Sequence, residues 1–386
     1  GGGVSTIGAA TTGDIGNGTS QTYGIRAASQ SGIKIFNCEV RNVVGTSTST
    51  VDGIFLENTG STTTSVGTCD VYNNVVHDIS STSTSGGVVS GLRINLTGNA
   101  TSISRVFDNF VYGLTSSSTV TASRRIIGIR VQDAGSGSPA THNIDFNSVR
   151  LEPAALSCSN STFEIGTTSG PVMKVRNNIF GNFTGAQTGS AKHYTWVTTA
   201  AATIGPAGSI SDRNVLYVNN ATNGYVGLTS PTDRATLANW QAAVSQDANS
   251  SAANPQFQTA TNLHIGTNPT PVESSGSYFG GTITWVPNDI DGQARNATTP
   301  DIGADEGNFN ALVSNDIAAT AFIDPVSGGT KLAGVAFAPQ ASFSNWGTAA
   351  QTNIAVRYRV VGPSPSGTEV YNNVQTIASL SAGATT

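Results

Sequence analysis

The sequence predicts an all-β protein whose larger part is a repetitive solenoid, and three observations support this prediction. Charged residues make up 11% of the 386 residues, glycine occurs 44 times, and short blocks of Val and Ile recur between stretches of Ser, Thr, Asn and Gly. So few charges exclude a coiled coil or a long solvated helix. The recurring apolar blocks exclude intrinsic disorder, which combines low hydrophobicity with high net charge.

Charge and hydropathy narrow the classes of partner. The chain carries 18 Lys and Arg against 23 Asp and Glu, a formal net charge of −5, whereas domains that bind nucleic acid are usually basic. We therefore expect no nucleic-acid partner. No apolar run approaches the roughly 18 residues that a membrane helix needs, so the sequence predicts no membrane span.

The chain ends indicate whether the chain is processed, and the cysteines indicate its redox environment. The chain begins at Gly1 without an initiator Met or a basic and apolar leader, and it stops at Thr386 within a strand-like pattern. We therefore expect a processed or excerpted piece of a longer precursor. Cys38, Cys69 and Cys158 have no metal-ligand spacing. Cys38 and Cys69 can pair in an oxidising compartment, which leaves one thiol over, and buried free thiols are the simpler interpretation.

Internal repetition indicates the fold of the larger part. The block Val71-Tyr72-Asn73-Asn74-Val75-Val76 recurs at 106–111, 144–149 and 175–180, and its key Asn stands at 74, 109, 147, 178 and 214, with steps of 35, 38, 31 and 36 residues. Such a drifting period is typical of a solenoid whose strands keep their register while its loops vary. It fits neither a WD40 propeller nor leucine-rich repeats. The sequence therefore predicts a right-handed parallel β-helix over residues 1–310.

The repeated asparagine stands between two apolar columns. Val or Ile stands three residues before it at 71, 106, 144 and 175, and Val, Phe or Leu stands two residues after it, so both columns should face the core. Inward amides between these columns can hydrogen-bond from coil to coil, and Asn tolerates the left-handed backbone of a tight turn. We therefore predict a structural ladder of Asn74, Asn109, Asn147, Asn178 and Asn214.

Outward-facing columns are where a binding site is expected. Tyr72 and Phe107 stand two residues before the ladder, and Tyr112, Arg150 and Tyr217 stand three residues after it. Aromatic and arginine side chains in such a stripe predict a sugar-binding face. An ordinary solvated face with weak cross-coil ion pairs is the alternative.

The first of these columns also holds the catalytic candidates. Asp145, Arg176 and Asp212 follow one another there, at coil spacings of about 4.8 Å, so that an arginine stands between two carboxylates. Ion-pair stacking explains this trio without chemistry, and the sequence contains no adjacent Asp pair, HExxH frame or recognisable nucleophile triad. We assign no catalytic residue, and the sequence favours a protein that is not an enzyme without excluding one.

A turn-rich motif is expected to close the solenoid. Asp289-Ile290-Asp291-Gly292-Gln293-Ala294-Arg295 is followed by Asp301-Ile302-Gly303-Ala304-Asp305-Glu306. This combination resembles the C-terminal coil motif of secreted bacterial parallel β-helix proteins of the pectate-lyase-like superfamily, and the resemblance covers about residues 20–308.

The residue types of this motif predict its role. The Asp291-Gly292 pair suits a tight turn, and Arg295 is placed to bridge Asp301 or Glu306. Calcium held by Asp289, Asp291 and Asp301 is the alternative, but an EF-hand frame is missing. We therefore predict a structural end coil without a metal or cofactor.

Residues 315–386 follow a different pattern. Strand-like segments at 315–320, 343–347, 354–360 and 371–374 predict an immunoglobulin-like β-sandwich. The N-x-G at Asn345 and the alternating Val356, Tyr358 and Val360 resemble the CARDB-type adhesion modules of bacterial surface proteins. The module is incomplete at its C-terminus compared with that family. An unpaired edge would accept a strand from a neighbouring protomer and so permit self-assembly, and truncation is the simpler explanation.

The predicted function follows from this architecture and from the resemblances. We expect a secreted, extracellular or cell-surface protein that acts as a non-catalytic adhesin, stalk or fibre component. Its expected partner is an extracellular polysaccharide or a neighbouring surface protein. A polysaccharide lyase or glycoside hydrolase acting on acidic glycans is the first alternative, and a phage-type receptor-binding spike is the second.

Overall fold

The computed structural model describes most of the chain, and the chain folds as two compact units, Gly1–Asn310 and Ala311–Thr386. The described residues are 5–7, 21–28, 32–58, 67–96, 101–121, 124–133, 140–153, 158–166, 171–185, 190–199, 204–219, 222–332, 335–347, 349–362, 367, 369–381 and 384–386. Residues 1–4, which bear on the expectation of a processed precursor, lie outside this set. Among the described residues, no helix is long and apolar enough to cross a membrane.

The first unit is a parallel β-solenoid in which successive strands join three sheets in turn. The first sheet contains Thr22–Ala28, Val51–Asn58, Val89–Leu96, Arg124–Val131, Ser159–Ile165, His193–Thr198, Gly224–Thr229 and the antiparallel Thr232–Arg234. The second sheet contains Lys34–Phe36, Thr68–Tyr72, Ile103–Phe107, Thr141–Asp145, Val172–Arg176 and Ile210–Asp212. The third sheet contains Ser5–Ile7, Cys38–Gly45, Val75–Ser81, Phe110–Tyr112, Thr115–Ser116, Ser148–Leu151, Ile179–Asn182 and Val215–Val218.

The core of the solenoid is narrow because a column of glycines lets the first and third sheets approach each other closely. The two apolar columns beside the ladder are buried, as Val71 and Val76 illustrate. Opposite them, the first sheet carries a glycine in successive coils, and a Cβ added at Gly53 would lie 2.4 Å from Val76 Cγ1. At Gly91 the same Cβ would lie 2.3 Å from Val111 Cγ1. Val76 and Val111 of the third sheet therefore pack against bare backbone of the first sheet.

The repeated asparagines form a continuous hydrogen-bonded ladder through the first unit. Each side chain donates from Nδ2 to Oδ1 of the next, over 2.9 Å from Asn74 to Asn109, 2.9 Å to Asn147, 3.0 Å to Asn178 and 3.1 Å to Asn214. Each Oδ1 also accepts the backbone N–H of the preceding ladder residue, as Asn109 does from Asn74 at 3.1 Å. These amides are fully buried, so the ladder satisfies polar groups that the core would otherwise leave unpaired.

The left-handed turn lies one residue earlier than the sequence suggests. The positive φ belongs to the predecessor of each ladder residue, at 51° for Asn73, 50° for Asp108, 55° for Phe146, 57° for Asn177 and 55° for Arg213. The expectation that the ladder asparagines themselves adopt this conformation is therefore wrong. The predecessor turns the chain from the second sheet to the third, so that the ladder amide points inward. We call these five residues, together with the equivalent Asn37, the turn column.

A short helix packs on the last coil. Leu237–Val244 begins after Thr236, whose side chain accepts the N–H of Asn239 and caps the helix. Trp240 is fully buried, its ring centroid 5.3 Å from that of Trp196. A Cβ at Gly227 would lie 2.2 Å from the Trp240 ring, so this glycine provides the space for the tryptophan.

Residues 246–310, which we call the strap, contain isolated β-bridges rather than strands. The strap runs back along the turn column. Arg213 Nη1 donates to Ser275 O over 2.7 Å, and Asn177 exchanges hydrogen bonds with Ser277. Farther along, Arg295 reaches Asp108, 187 residues away in the chain. The strap therefore covers one edge of the solenoid across several coils.

The second unit consists of antiparallel strand pairs. Ile317–Asp324 pairs with Gln340–Asn345, and Gln351–Val361 pairs with Glu369–Leu380. Tyr358 packs edge-on against the ring of Phe322, with centroids 5.8 Å apart. These pairs are consistent with a β-sandwich.

The three cysteines are thiols, and none forms a disulfide. Cys69 and Cys158 are fully buried, and Cys38 is half-buried. Burial raises the pKa of the Cys158 thiol to about 11, so this thiol stays protonated and unreactive at neutral pH.

Removing one rung of the ladder should destabilise the first unit. Asn147 Nδ2 donates to Asn178, to Val106 O and to Asp145 O, so Asn147→Ala leaves several buried groups unpaired. We expect a loss of about 2–4 kcal/mol in the free energy of unfolding, measured by urea denaturation. The control Asn308→Ala changes an exposed asparagine and should alter stability little. Equal effects of the two substitutions would contradict a stabilising ladder.

His193 should make stability depend on pH. The side chain is fully buried, neither ring nitrogen has a hydrogen-bond partner, and burial lowers its pKa to about 4. Unfolded, the imidazole titrates near 6.5. Between these values the unfolded chain binds more protons, so stability falls as the pH falls through this window. From pH 7 to pH 5 the loss should be about 2 kcal/mol.

The matched comparison is His193→Gln, which does not titrate and keeps every other ionisable group. The difference in unfolding free energy between the wild type and this variant, measured at both pH values, isolates the histidine. A difference that does not change with pH would show that the imidazole is not held neutral.

Candidate functional site

The candidate site begins with the outward column two residues before the ladder. Strand register places its members side by side in the order Phe36, Tyr72, Phe107, Asp145, Arg176 and Asp212. The first half of this column is aromatic, and the second half is charged. The strap covers part of the charged half, so the two halves have different environments.

The aromatic half forms a stack. The Phe36 and Tyr72 ring centroids are 4.9 Å apart with an interplanar angle of 1°, and those of Tyr72 and Phe107 are 4.8 Å apart at 4°. This spacing follows from the distance between parallel strands. Phe107 is buried, while Phe36 and Tyr72 are half-buried. Phe36 and Tyr72 therefore keep part of the apolar surface of the stack in contact with solvent.

A cleft of about 320 Å³ opens beside this stack. We call it the aromatic cleft, and it is lined by Lys34, Asp70, Tyr72, Asn73, Arg105, Phe107, Asp108, Trp285, Pro287 and Asn288. The strands of the second sheet supply one wall, and the strap supplies Trp285 on the other. The cleft therefore exists only where the strap and the solenoid come together.

Charged groups in the aromatic cleft are arranged around Asp70. Arg105 donates to both carboxylate oxygens of Asp70, over 2.7 and 2.8 Å, and its Cζ lies 5.2 Å from the Trp285 ring centre. Lys34 Nζ is 4.0 Å from Asp70 Oδ2 and is largely exposed. Burial, followed by the charge of Asp70, raises the pKa of the Tyr72 hydroxyl, so Tyr72 stays neutral at physiological pH. The cleft combines flat apolar rings with cations.

The catalytic candidates Asp145 and Arg176 lie beneath the strap. Arg176 donates to both oxygens of Asp145, over 2.8 and 3.0 Å, and Phe279 and Thr282 of the strap lie over the guanidinium. Asp145 is fully buried, which raises its pKa to about 6 against the opposing effect of Arg176. The expectation that this column faces solvent throughout is therefore wrong at these two positions. The strap separates them from any substrate in solution.

Asp212 does not complete the expected trio. Its two oxygens accept hydrogen bonds from Asn249, over 2.8 Å from the backbone N–H and 2.7 Å from Nδ2. Arg176 thus pairs with the carboxylate of Asp145, whereas the carboxylate of Asp212 is bound by Asn249 of the strap. The arrangement of an arginine shared between two carboxylates, expected from the sequence, is not formed.

The other predicted binding residues lie apart from the aromatic cleft. Tyr112 stacks on His77 with ring centroids 4.9 Å apart and lines a second cavity of about 530 Å³. Arg150 lies over the ring of Phe183 at 3.7 Å, and Tyr217 packs against the same ring with centroids 4.8 Å apart. The five predicted residues therefore divide among three places: Tyr72 lies with Phe107, Arg150 lies with Tyr217 on the ring of Phe183, and Tyr112 lies apart from both pairs.

The closing motif is organised around a buried arginine. Arg295 Nη2 lies 2.6 Å from Asp108, Nη1 lies 3.2 Å from Glu306, and the guanidinium carbon is 4.4 Å from the centre of the Phe146 ring. The link to Asp301 is to its carbonyl oxygen, over 3.4 Å. Burial raises the pKa of Asp108 to about 7, opposed by Arg295. The motif fastens the strap to the turn column.

The aspartates of the motif bind backbone N–H groups. Asp289 accepts from Asp291, Gln293 and Glu306 over 3.0, 2.7 and 3.0 Å. Asp301 accepts from the N–H groups of Ser274 and Gly307. Asp289 and Asp301 therefore brace turns, and the three aspartates Asp289, Asp291 and Asp301 do not converge as one set of calcium ligands. Asp291 instead directs its carboxylate to His264, as Nε2 lies 2.7 Å from Oδ2.

Some residues of the aromatic stack and of the cleft beside it were not anticipated from the sequence. Phe36 stands two residues before Cys38, in the same column as Tyr72, so the repeat contained a signal for it. Lys34 and Arg105 likewise share register with Asp70. Trp285 comes from the irregular strap, and no periodic pattern could have placed it beside the second sheet.

Fold and site together define a parallel β-solenoid with a strap-walled aromatic cleft on its side. No protein-family model matches the chain, and neither the curated proteins nor the solved structures gave a match.

Removing the charge of Arg295 should release the strap. Arg295→Met leaves Asp108 and Glu306 without their cation in a buried position. Breaking a buried ion pair in this way costs about 3–5 kcal/mol, so we expect a loss of that size in guanidinium denaturation. The control Arg26→Met breaks the ion pair with Glu57, whose arginine is 46% exposed, and should cost less than about 1 kcal/mol. Similar losses would argue against an anchoring role for Arg295.

Proposed function

We propose that this chain is a secreted, cell-surface glycan-binding protein that acts as a non-catalytic adhesin or stalk. In this proposal, its solenoid belongs to the pectate-lyase-like lineage and its second unit is a CARDB-type module. The observation that carries the proposal is the stack of Phe36, Tyr72 and Phe107 beside the cationic groups of the aromatic cleft. Flat aromatic faces pack on the C–H faces of sugar rings, and a few polar groups then fix orientation.

The charges in the cleft favour an acidic glycan. Lys34 projects an exposed ammonium, and Arg105 spans Asp70 and the face of Trp285. Each carboxylate of the cleft lies beside an arginine: Asp70 pairs with Arg105, and Asp108 pairs with Arg295. Lys34 is the exposed cation among the charged residues that line the cleft, so its ammonium is the group placed to meet a ligand. A sugar carboxylate is the expected ligand group at this position.

The pairing of the cleft carboxylates with arginines supports binding of a glycan without its cleavage. A general acid or base needs a carboxyl group that can reach the substrate and exchange a proton. Asp70 and Asp108 are occupied by guanidinium groups, and the Asp145–Arg176 pair lies under the strap. Cleavage of an acidic glycan is the second candidate, and the binding experiment tests it directly.

We propose that the second unit serves attachment to a neighbouring surface protein or to another copy of this chain. Phe322, Ile323 and Val374 are exposed on its strands, and exposed apolar side chains are common in interaction surfaces. Analytical sedimentation at increasing protein concentration tests self-assembly. If copies of this chain bind one another, species larger than a monomer should form.

Glycan binding should depend on the aromatic cleft. Isothermal titration of the full chain with oligogalacturonate and with oligoalginate should detect binding, with a neutral glucan as the reference ligand. Tyr72→Ala and Trp285→Ala should each weaken binding at least about tenfold, the equivalent of 1.4 kcal/mol. Lys34→Ala should reduce the preference for the acidic ligand over the neutral one.

Tyr225→Ala is the matched control for these variants. Tyr225 also belongs to a stacked aromatic pair, with Tyr194, but this pair lies on the first sheet. The glycan affinity of this variant should equal that of the wild type. If neither acidic oligosaccharide binds, the proposed function fails, and if unsaturated or reducing ends accumulate during the titration, the protein is an enzyme.

A further inference from the structure

Three separate parts of the strap bring His264, Asp291 and Asp305 together. One ligand atom from each, the imidazole nitrogen or a carboxylate oxygen, lies within 4.8 Å of the other two. His264 immediately precedes Ile265, which forms a β-bridge with Phe257, and Asp291 and Asp305 belong to the closing motif. His264 and Asp291 also line the second cavity.

The hydrogen bonds around His264 fix its tautomer. Nδ1 lies in short contact with Oδ1 of Asn262, and Nδ2 of that amide donates to Gln258 over 2.9 Å. Because Asn262 therefore presents oxygen to the ring, Nδ1 carries the proton. The lone pair of a neutral imidazole then lies on Nε2, which faces Asp291 Oδ2 at 2.7 Å. A proton on Nε2, as in an imidazolium, satisfies this contact, and so does a metal cation that both atoms bind.

Asp305 is held in a fixed orientation beside this pair. It is 4% exposed, and its Oδ2 accepts the backbone N–H of Ile265 over 2.7 Å. A histidine ligand that donates its other ring N–H to an oxygen, and a carboxylate ligand fixed by a further hydrogen bond, are typical of metal sites. Asn262 and the Ile265 N–H supply these two outer contacts.

We propose that His264, Asp291 and Asp305 bind one divalent transition-metal ion of the Zn²⁺ or Mn²⁺ class. One imidazole nitrogen and two carboxylates suit these ions, whereas Ca²⁺ takes oxygen ligands in larger number. The two carboxylates balance the charge of the ion. The ion ties three parts of the strap together at the edge of the second cavity, independently of glycan binding in the aromatic cleft.

His77 provides a comparison within the same protein. It also contacts two carboxylates, but Glu39 lies 3.1 Å from Nε2 and Asp78 lies 2.8 Å from Nδ1. These carboxylates are on opposite sides of the ring, so they cannot share one ion with a single nitrogen. His77 thus has similar neighbours without convergent ligand atoms.

The experiment uses the full chain, stripped with EDTA and free of any polyhistidine tag. Isothermal titration with Zn²⁺, Mn²⁺ and Ca²⁺ should show one Zn²⁺ or Mn²⁺ ion per chain and much weaker binding of Ca²⁺. The bound ion should raise the thermal unfolding temperature. His264→Gln and Asp291→Asn should each weaken binding at least about tenfold, and Asn262→Ala should weaken it by a similar factor through the orientation of the imidazole.

Circular dichroism of each metal-free variant establishes that it is folded, and His77→Gln is the control whose metal affinity should equal that of the wild type. The proposal is overturned if the wild type binds neither Zn²⁺ nor Mn²⁺, which would leave His264 and Asp291 as a simple ion pair. It is also overturned if folded His264→Gln binds as tightly as the wild type, or if His77→Gln loses affinity equally.

Discussion

The buried hydrogen bond from one ladder asparagine to the next is the interaction on which the rest of the first unit depends. Each amide occupies the inside of the turn between the second and third sheets, and its partners lie in the coils on either side. A coil that slipped by one residue would lose these bonds and expose its valines. The ladder therefore keeps equivalent positions of successive coils in line. That alignment places Phe36, Tyr72 and Phe107 in one stack.

The turn column provides the surface along which the strap returns, and this has a direct effect on the candidate site. By fastening at Asp108, Asn177 and Arg213, the strap covers the charged half of the outward column and leaves the aromatic half in contact with solvent. It also contributes Trp285 to the cleft. The ion pair between Asp145 and Arg176 consequently helps to hold the strap in place, while the aromatic rings remain available for a ligand.

Periodic features could be predicted from the sequence, because every coil repeats the same local constraint. The apolar columns, the ladder and the outward position of Tyr72 are of this kind. The pair of Arg295 and Glu306, eleven residues apart within the strap, was also expected. Contacts between the strap and the solenoid could not be predicted, because Arg295 and Asp108 are 187 residues apart and no repeat links them. The turn conformation was misplaced by one residue because Asn73 and Asn177 are also asparagines, whereas Phe146 at the same position shows that geometry, not residue preference, sets φ.

The ladder has a direction, and its last member determines where coils can be added. Every amide donates to the coil that follows, until Asn214 donates to Asp247 over 3.1 Å. Asp247 is a buried carboxylate that also accepts from Ser211, Trp240 and Ser250, and its side chain has no N–H to donate to a further coil. The series of side-chain hydrogen bonds therefore ends at Asp247. A lengthened solenoid would need its extra coil inserted between two asparagines, since a coil appended beyond Asp247 would find no donor to continue the series.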